Sequence, residues 1–581
     1  MTRAESAKAA LCAALILGSW APSCPADTVT LKDGSRLEGI VEIELPTKVV
    51  LKQPGGNRII LRADIDSITK SARADPEPPA PAPMAAQSPG PQASPAEYPA
   101  GSPEAAANAV VKVYATASMP DPLKPWARQP PREETGSGFV IEGRQILTSA
   151  HFLFYASQVQ IKANRADDRI PARVVAVDPL LDLALLEIDD DGFFVGHSPL
   201  PKANVLPRTR DVVSTFGYPS DSTNVTIIRA SVTEVDFAGY SYPVSGIRIR
   251  TNNEFSPGMS GAPTLMGDRM IGIAVRRANA SQSASSFVMP NEEIDPFVEG
   301  ARAGRYLGKP LFNEDVQKLE NPALREFLNL DRSVHGVVIS RLYGADANFP
   351  LREMDVMTNF GGVLIDDLGT IPFGDNGRVP FPYRLQAGGG DWPRGVSLGI
   401  VRNGSATSVT LPVERSRPML VPSREGAYPS YFIIGPIAFA AATAEIYNLG
   451  GAGQLAGFLA YRGSPLVTRR MERPAFDGEE LVYVPSPFFP HKLAKGYGDP
   501  TFSTVKSING TPVRNLIHLV RLIRDSTDEF IVVEFAERDS EILVFPREAM
   551  IAATDGILSD NGVRRQGSAD VMAVWNGKPA K

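Results

Sequence analysis

The stretch Asn253–Pro263, NEFSPGMSGAP, places Ser260 between two glycines and two prolines. Glycine, proline and serine are common turn residues, so one interpretation of this stretch is a surface loop. The other interpretation is that Ser260 is a nucleophile on a sharply bent backbone whose N–H groups converge on one point. A serine nucleophile needs a general base and a group that orients the base, so the rest of the chain must supply both.

The candidate base is one of five histidines. Histidine changes its protonation state near neutral pH, which makes it the natural partner of a serine nucleophile. His151 follows ILTSA, an apolar run that ends in small residues, so we expect its imidazole at the end of a strand with open space beside it. The others lie in a loop, beside strands or on a predicted helix: His197, His335, His491 and His518. His151 is therefore the candidate base.

The group that orients the base should be a buried carboxylate, because such a carboxylate holds the imidazole in the reactive tautomer. Asp182, in DPLLDLALLEI, is surrounded by leucines, whereas most acidic residues of the chain lie in polar segments. A buried carboxylate is costly without a partner, which favours a pairing with His151. Two alternatives remain open. Asp182 could cap the start of a strand, or Asp178, which Pro179 marks as a turn residue, could be the orienting acid.

The three candidate residues occur in the order His151, Asp182, Ser260, which is the order of the chymotrypsin triad and not that of subtilisin or the α/β-hydrolases. Gly258 would allow its own N–H and that of Ser260 to converge on the oxygen that becomes negative during acyl transfer. The G-x-S-x-G nucleophile elbow of ester hydrolases does not fit this stretch. The sequence therefore predicts an acyl-transfer site with a serine nucleophile.

Residues 105–304 form a block of short, strand-like apolar runs separated by turn residues. Many short strands with turns between them are typical of a sandwich or of closed barrels. The first clear helix of the block begins near Asn291, where an N-cap residue precedes two acidic residues. Before this block, residues 27–70 alternate apolar and polar positions and predict a small all-β module, and residues 71–104, which are rich in proline and alanine, predict a disordered linker.

After the block, residues 305–420 and 471–581 share a pattern of strand, glycine turn and strand, which indicates a weak tandem repeat of small domains. The second of them adds an amphipathic helix whose apolar face consists of Leu516, Leu519, Val520, Leu522 and Ile523. Residues 421–470 are predicted to connect the two domains. Within this connector, Tyr431–Tyr447 is apolar but short and interrupted by glycine and proline, so it predicts a buried core segment and not a membrane span.

The composition limits the class of protein. A chain of 581 residues is too long for a single core, and a net charge of −6 without a long basic run argues against a nucleic-acid partner. Residues 1–26, with a basic start and the apolar stretch Ala9–Leu17, predict a signal peptide. We therefore expect an exported protein, periplasmic or secreted, with an uncleaved, anchoring signal as the alternative. Both cysteines, Cys12 and Cys24, lie in this segment, so the mature chain would have no disulfides.

Six segments in order, GSGFVI, ILTSAH, DLALLEI, SPGMSGAP, IGI and FVMP, resemble the HtrA/Deg family of trypsin-fold serine proteases. The usual family forms of five of these are GSGFVI, ILTNAHVV, DLALLKI, NPGNSGGP and FAIP. The match covers about residues 105–300. The connector and the tail SINGTPVRNLIHLVRLI look most like the plant-type Deg branch, so the resemblance extends over most of the chain.

The resemblance implies a mainly β protein with a chymotrypsin-like protease domain of two six-stranded barrels, followed by two PDZ-like α+β domains. It implies an ATP-independent serine endopeptidase that acts on unfolded or damaged proteins and needs no cofactor and no metal. The PDZ domains would bind peptide segments or C-termini. The assembly would be a homo-oligomer, either a trimer or a multiple of trimers.

Residue by residue, the family's base falls on His151, its orienting acid on Asp182 and its nucleophile on Ser260. Its oxyanion hole falls on the backbone of Gly258, Met259 and Ser260. The chain departs from the family pattern at positions near these residues: Met259, Ala262, Ser256 and Ser149. Alanine at position 262 is costly only if the backbone there has a positive φ. The changes at Met259 and Ala262 favour the alternative function, a catalytically silent PDZ-containing scaffold or holdase chaperone, whereas the intact triad favours the enzyme.

Overall fold

The computed structural model describes most of the chain, in these ranges: 27–44, 48–53, 56–69, 102–241, 243–278, 284–343, 348–386, 392, 394–415, 417–449 and 454–577. The predicted signal segment 1–26 and all but the last residues of the predicted linker 71–104 lie outside the described residues. The chain divides into two compact units, Met1–Ala93 and Ser94–Lys581.

The first unit contains one antiparallel sheet with the strand order β4-β3-β2-β1-β5. Its strands are β1 (Asp27–Leu31), β2 (Arg36–Glu44), β3 (Lys48–Gln53), β4 (Gly56–Leu61) and β5 (Ile65–Thr69). Small apolar side chains on one face, among them Val29, Val49 and Leu51, form its core. The alternation that predicts an all-β module thus corresponds to a sheet with one buried face.

The second unit begins with a short helix and a closed barrel whose strand order is β10-β11-β8-β7-β6-β9. The elements are α1 (Pro103–Ala109), β6 (Val110–Ala117), β7 (Arg132–Ile141), β8 (Gln145–Ser149), β9 (Ala156–Ala163), β10 (Ile170–Asp178), β11 (Leu183–Glu187) and α2 (Phe193–Gly196). Branched and aliphatic side chains such as Val113, Ile146, Ile161 and Leu186 point into the barrel and fill it.

A second closed barrel follows, with the strand order β12-β13-β14-β17-β16-β15. Its strands are β12 (Val212–Gly217), β13 (Thr226–Ser241), β14 (Val244–Thr251), β15 (Pro263–Met266), β16 (Arg269–Ala278) and β17 (Ala284–Pro290), and the helix α3 (Asn291–Arg302) comes after them. A shared core joins the two barrels, because Phe139 and Leu147 of the first pack in one cluster with Tyr218 and Ile273 of the second. The twelve strands that the structure describes between Val110 and Pro290 therefore form the double barrel that the sequence predicts.

The region after the double barrel contains a sheet with the strand order β18-β19-β20-β24-β25, in which β21 also pairs with β20. Strands β22 and β23 form a separate two-stranded sheet. The elements are β18 (Asp315–Lys318), α4 (Pro322–Phe327), β19 (Val337–Arg341), β20 (Val356–Phe360), β21 (Val363–Leu364), β22 (Thr370–Pro372), β23 (Arg378–Pro380), β24 (Val396–Arg402) and β25 (Ser405–Leu411). Its core is mostly aliphatic, with residues such as Ile339 and Leu398, and includes an aromatic group in which Phe312 and Phe360 both contact Phe381.

The last region combines a three-stranded sheet, β26-β27-β28, and a four-stranded sheet, β30-β29-β31-β32. The strands are β26 (Tyr431–Ile434), β27 (Ile437–Ala441), β28 (Val482–Tyr483), β29 (Val505–Ile508), β30 (Thr511–Pro512), β31 (Phe530–Phe535) and β32 (Leu543–Pro546). The helices are α5 (Gln454–Tyr461), α6 (Pro465–Thr468), α7 (Leu516–Asp525), α8 (Arg547–Asp560) and α9 (Ala569–Trp575). In α7 the predicted apolar face is buried, apart from Leu522, which is partly buried.

The structure differs from the predicted domain division at the connector 421–470. Phe432 and Ile434 of β26 lie in the same hydrophobic core as Val505 and Leu519 of the last region. The segment Tyr431–Tyr447 is thus a buried hairpin followed by a short helical turn, which agrees with the prediction of a core segment. Among the residues that the structure describes, no helix has the length and apolar character needed to cross a bilayer.

Candidate active site

The ends of two paired strands bring His151 and Asp182 together. Strands β8 and β11 run antiparallel, with Ser149 opposite Leu183. His151 comes two residues after the end of β8, and Asp182 comes immediately before β11. The Ala150 N–H donates a hydrogen bond to the Asp182 carbonyl at 3.1 Å, which extends the ladder past the strand ends. The register of this strand pair therefore decides that these two residues meet.

The Asp182 carboxylate accepts two hydrogen bonds from His151. The backbone N–H of His151 donates to Oδ1 at 2.7 Å, and the ring nitrogen Nδ1 lies 2.8 Å from Oδ2. An ionised carboxylate only accepts hydrogen bonds, so Nδ1 donates to it, and in the neutral imidazole Nε2, on the far side of the ring, then has the lone pair. The Asp182 side chain is 4% exposed and that of His151 is 48% exposed. The arrangement is a buried anion that orients a half-exposed base.

The rival acid, Asp178, has other partners. Its Oδ1 accepts hydrogen bonds from the N–H groups of Leu180 and Leu181, at 2.8 and 2.9 Å, and its Oδ2 accepts one from the Tyr306 hydroxyl. Asp178 therefore stabilises the turn between β10 and β11, as expected for a turn residue before proline. The structure favours Asp182 over Asp178 as the partner of the imidazole.

The loop that carries Ser260 belongs to the second barrel but is held by the first. The Ser260 carbonyl accepts a hydrogen bond from the Ser137 N–H of β7 at 2.9 Å. The Ser137 carbonyl in turn accepts one from the Thr148 hydroxyl of β8 at 2.7 Å. Since His151 lies three residues after Thr148, these bonds place Ser260 in the same neighbourhood as the His151–Asp182 pair, where the two barrels meet.

Two glycines give the Ser260 loop its shape. Gly258 and Gly261 have φ angles of +88° and +89°. Residues other than glycine rarely adopt this backbone conformation. A Cβ on Gly261 would lie only 2.0 Å from the Ser137 carbonyl oxygen, and one on Gly258 would lie 2.5 Å from the Ser220 nitrogen. The stretch is therefore a tightly packed turn and not an ordinary surface loop.

The backbone N–H of Met259 is not directed at the oxyanion hole, in contrast to the prediction. Its N–H donates to the Ser256 carbonyl at 3.1 Å, inside the turn. Its side chain is completely buried and packs with Phe255 and Ala262 in the core of the second barrel. An N–H that is already bonded cannot receive the substrate oxygen without a rearrangement, so Met259 supports the loop from within. The N–H groups of Gly258 and Ser260 remain the candidate donors.

The other four histidines lie in different environments. His197 stacks on Phe193 at a centroid distance of 4.2 Å, and burial lowers the pKa of its imidazole. The His491 and His518 ring nitrogens accept hydrogen bonds from nearby backbone N–H groups. His335 lies 3.0 Å from a carboxylate, that of Asp367, but in the region after the double barrel. A histidine–carboxylate contact by itself is thus no proof of a catalytic pair.

Comparison with known proteins agrees with this geometry. The trypsin-like peptidase domain family matches residues 136–273, which include all three candidate residues, and the PDZ domain family matches residues 421–570. The chloroplastic protease Do-like 2 of Arabidopsis thaliana is 32% identical over 476 residues, which cover 81% of this chain and 76% of that protein. The chain belongs to the Do-like, or Deg, family of serine proteases.

A second curated relative is consistent with this assignment. The mitochondrial protease Do-like 4 of Arabidopsis thaliana is 28% identical to this Deg protease, over 72% of the chain and 77% of that protein. A solved structure described as the HtrA-type protease AlgW with tripeptide covers 54% of this chain and 96% of its own, with 20% identity and a TM-score of 0.41. The Deg protease described here is a serine endopeptidase with a peptide-binding PDZ domain.

The departures from the family motif fit the observed loop. Ala262, where the family has glycine, is buried and does not lie in the left-handed region of φ, so alanine carries no backbone strain there. Ser149, where the family has asparagine, is buried in the β8–β11 ladder opposite Leu183.

Two residues that contact the Ser260 loop or the neighbouring segment 219–222 were not predicted from the sequence. Ser137 donates a hydrogen bond from its hydroxyl to the Gly258 carbonyl at 2.9 Å, and Lys112 binds the carbonyls of the adjacent segment 219–222. Ser137 was visible only as a small residue of the GSGFVI motif. Lys112 had one signal, a lone lysine in the apolar run VVKVYATA of β6, which predicts a buried charge that needs partners.

Proposed function

We propose that this Deg protease hydrolyses peptide bonds in unfolded or damaged polypeptides, with Ser260 as nucleophile, His151 as general base and Asp182 as the orienting acid. The single observation that carries the proposal is the buried Asp182 carboxylate, 2.8 Å from Nδ1 of His151, near the tightly packed Ser260 loop. The role requires no nucleotide and no metal, because the three side chains supply the proton transfers and the nucleophile.

The reaction would proceed in two acyl transfers. The Ser260 Oγ attacks the scissile carbonyl carbon while its proton moves to Nε2 of His151, and the N–H groups of Gly258 and Ser260 stabilise the oxyanion. His151 then gives this proton to the leaving amine, and an acyl-enzyme remains. Water, deprotonated by His151, attacks the acyl-enzyme, the bond between the acyl carbon and Ser260 Oγ breaks, and His151 returns the proton to Oγ as the carboxylic acid product leaves. Asp182 stays ionised throughout and stabilises the imidazolium.

The proposal extends to the partners and the location of the enzyme. PDZ domains bind extended peptides or C-termini by adding a strand to a sheet edge, which would hold a polypeptide near the protease domain.

We propose that the enzyme assembles as a trimer or a multiple of trimers, and that it is exported to a periplasmic or extracellular compartment. Fractionation of expressing cells and N-terminal sequencing test export, and light scattering of the purified protein tests the oligomer.

The central experiment compares wild type with Ser260→Ala. Wild type is expected to cleave casein and to react with a fluorophosphonate probe, whereas Ser260→Ala should do neither and should still bind peptides. Reduced, carboxymethylated lysozyme and native lysozyme form a matched pair of substrates, and only the unfolded form should be cleaved. If purified wild type neither reacts with the probe nor cleaves casein, the catalytically silent scaffold or holdase is the better description.

A further inference from the structure

A pair of buried polar side chains on the first barrel faces the loop that carries the oxyanion donors. Lys112 of β6 and Ser137 of β7 are directly opposite each other in the strand ladder. Lys112 is 4% exposed and Ser137 is completely buried. Taking a lysine out of water is costly unless its ammonium group is well satisfied, so such a residue in a barrel wall calls for an explanation.

The Lys112 ammonium group is satisfied by one segment of the second barrel. Its Nζ lies 2.9 Å from the Ser220 carbonyl oxygen, 2.8 Å from that of Ser222 and 3.4 Å from that of Pro219. A charged lysine has three N–H donors, and here all three can be directed at backbone carbonyls of residues 219–222. Lys112 thereby fixes the course of this segment against the first barrel.

The same segment holds the peptide unit that presents the Gly258 N–H. The Ser220 N–H donates to the Pro257 carbonyl at 2.8 Å. In a trans peptide unit the carbonyl and the following N–H lie in one plane and point in opposite directions. Because Ser220 holds the Pro257 carbonyl, it also decides where the Gly258 N–H points.

Ser137 holds the next peptide unit of the same loop. Its hydroxyl donates to the Gly258 carbonyl at 2.9 Å and accepts a hydrogen bond from the Tyr218 N–H at 2.8 Å. Gly258, with its permissive backbone, is therefore fixed on both sides, by Ser220 before it and by Ser137 after it. Lys112 and Ser137 together connect the first barrel to both of these contacts.

We propose that Lys112 and Ser137 are positioning residues that keep the oxyanion hole formed in the absence of substrate. This inference rests on the proposed function of the Ser260 site. Neither side chain touches the reacting atoms in the proposed mechanism. They act through segment 218–222 and through the peptide units on either side of Gly258, and glycine at this position would otherwise allow the peptide unit to rotate.

The test measures kcat and KM for a fluorogenic peptide with wild type, Lys112→Met and Ser137→Ala. Loss of one oxyanion donor lowers kcat by about 10²–10³-fold, so partial misorientation should lower it by roughly 10- to 100-fold with KM changed less than about twofold. Lys162→Met is the matched control, because Lys162 lies opposite Lys112 on β9, on the side away from Ser137. This control should keep the wild-type kcat.

A second measurement separates positioning from general stability. A peptide aldehyde forms a tetrahedral adduct whose oxygen occupies the oxyanion hole, whereas the corresponding peptide alcohol does not. The affinity ratio of aldehyde to alcohol should fall in Lys112→Met and Ser137→Ala by about the same factor as kcat. The double variant should lose less than the product of the two single losses, because both residues act on the same loop. Thermal unfolding shows which variants are folded.

The outcomes distinguish this inference from the function on which it rests. A wild type that does not cleave the peptide overturns the proposed function and this inference with it. An active wild type, together with Lys112→Met and Ser137→Ala variants that keep both kcat and the aldehyde-to-alcohol ratio, overturns only the positioning role. If Lys112→Met does not fold, Lys112→Arg and Ser137→Ala decide the question, since the serine variant removes one hydroxyl and retains the Ser137 N–H bond to Ser260.

Discussion

Replacement of Asp182 by asparagine should inactivate the enzyme through the tautomer of His151. Asp182 Oδ1 accepts the backbone N–H of His151 at 2.7 Å, and Oδ2 faces Nδ1 at 2.8 Å. An asparagine side chain must keep its oxygen toward the backbone N–H, because the opposite orientation would place two buried donors against each other. Its NH2 group then faces Nδ1, which becomes an acceptor, and the hydrogen moves to Nε2. A protonated Nε2 cannot accept the Ser260 proton.

The expected loss in kcat is about 10⁴-fold, the size of the effect for this substitution in a trypsin-fold triad, which corresponds to about 5.4 kcal/mol of activation free energy. The substitution should not strain the backbone at position 182. Asp182 has a φ of +64°, and asparagine tolerates this left-handed region as well as aspartate does. The variant should therefore fold normally and bind peptides with wild-type affinity.

The assay is kcat for a fluorogenic peptide, together with the second-order rate of fluorophosphonate labelling and thermal unfolding. Asp178→Asn is the matched control, because the same change of carboxylate to amide occurs four residues earlier on a side chain that contacts Leu180, Leu181 and Tyr306 instead of histidine. The reasoning is refuted if folded Asp182→Asn stays within tenfold of wild type. A loss in Asp178→Asn without one in Asp182→Asn would transfer the role of orienting acid to Asp178.

Two further substitutions test the packing around the site and in the region that follows it. Gly261→Ala should reduce kcat/KM by about 100-fold or more. The added Cβ would lie 2.0 Å from the Ser137 carbonyl oxygen, so the Ser260 loop would have to move by about 1 Å. A kcat/KM within tenfold of wild type would contradict this expectation. Arg402→Met should lower the free energy of unfolding by about 3–5 kcal/mol in urea denaturation, because it leaves the Asp355 carboxylate, 2% exposed, without its cation. Arg378→Met, at a more exposed ion pair, should cost less than about 1 kcal/mol, and equal losses would refute the burial argument.

Much of the candidate site could be predicted from the sequence because its signals are local. The glycines around Ser260 indicate a bent backbone, and the leucines around Asp182 indicate a carboxylate that must be buried and paired. Period-two alternation predicts the strands, and the identity of each of these residues follows from the chemistry of acyl transfer. The choice between Asp182 and Asp178, four residues apart in one leucine-rich segment, remained open until the register of β8 and β11 was known.

The extent of the last region could not be predicted in the same way. Residues 421–470 lie between the two repeat-like segments and are therefore predicted to connect them. The strands β26 and β27 nevertheless bury their side chains against residues more than 60 positions later in the chain, such as Val505 and Leu519. A local pattern indicates that a segment is apolar, but it does not indicate which distant part of the chain packs against that segment.

The sequence by itself determined the double-barrel class of the protease domain, His151 and Ser260 as the residues proposed for proton transfer and nucleophilic attack, and the need for glycine in the nucleophile loop. Only the tertiary structure decided that Met259 uses its N–H inside the turn, and that Lys112 and Ser137 hold the loop from the other barrel. The physical reason is distance along the chain. Lys112 and Ser220 are 108 residues apart, and Ser137 and Gly258 are 121 apart, so neither pairing leaves a periodic trace in the sequence.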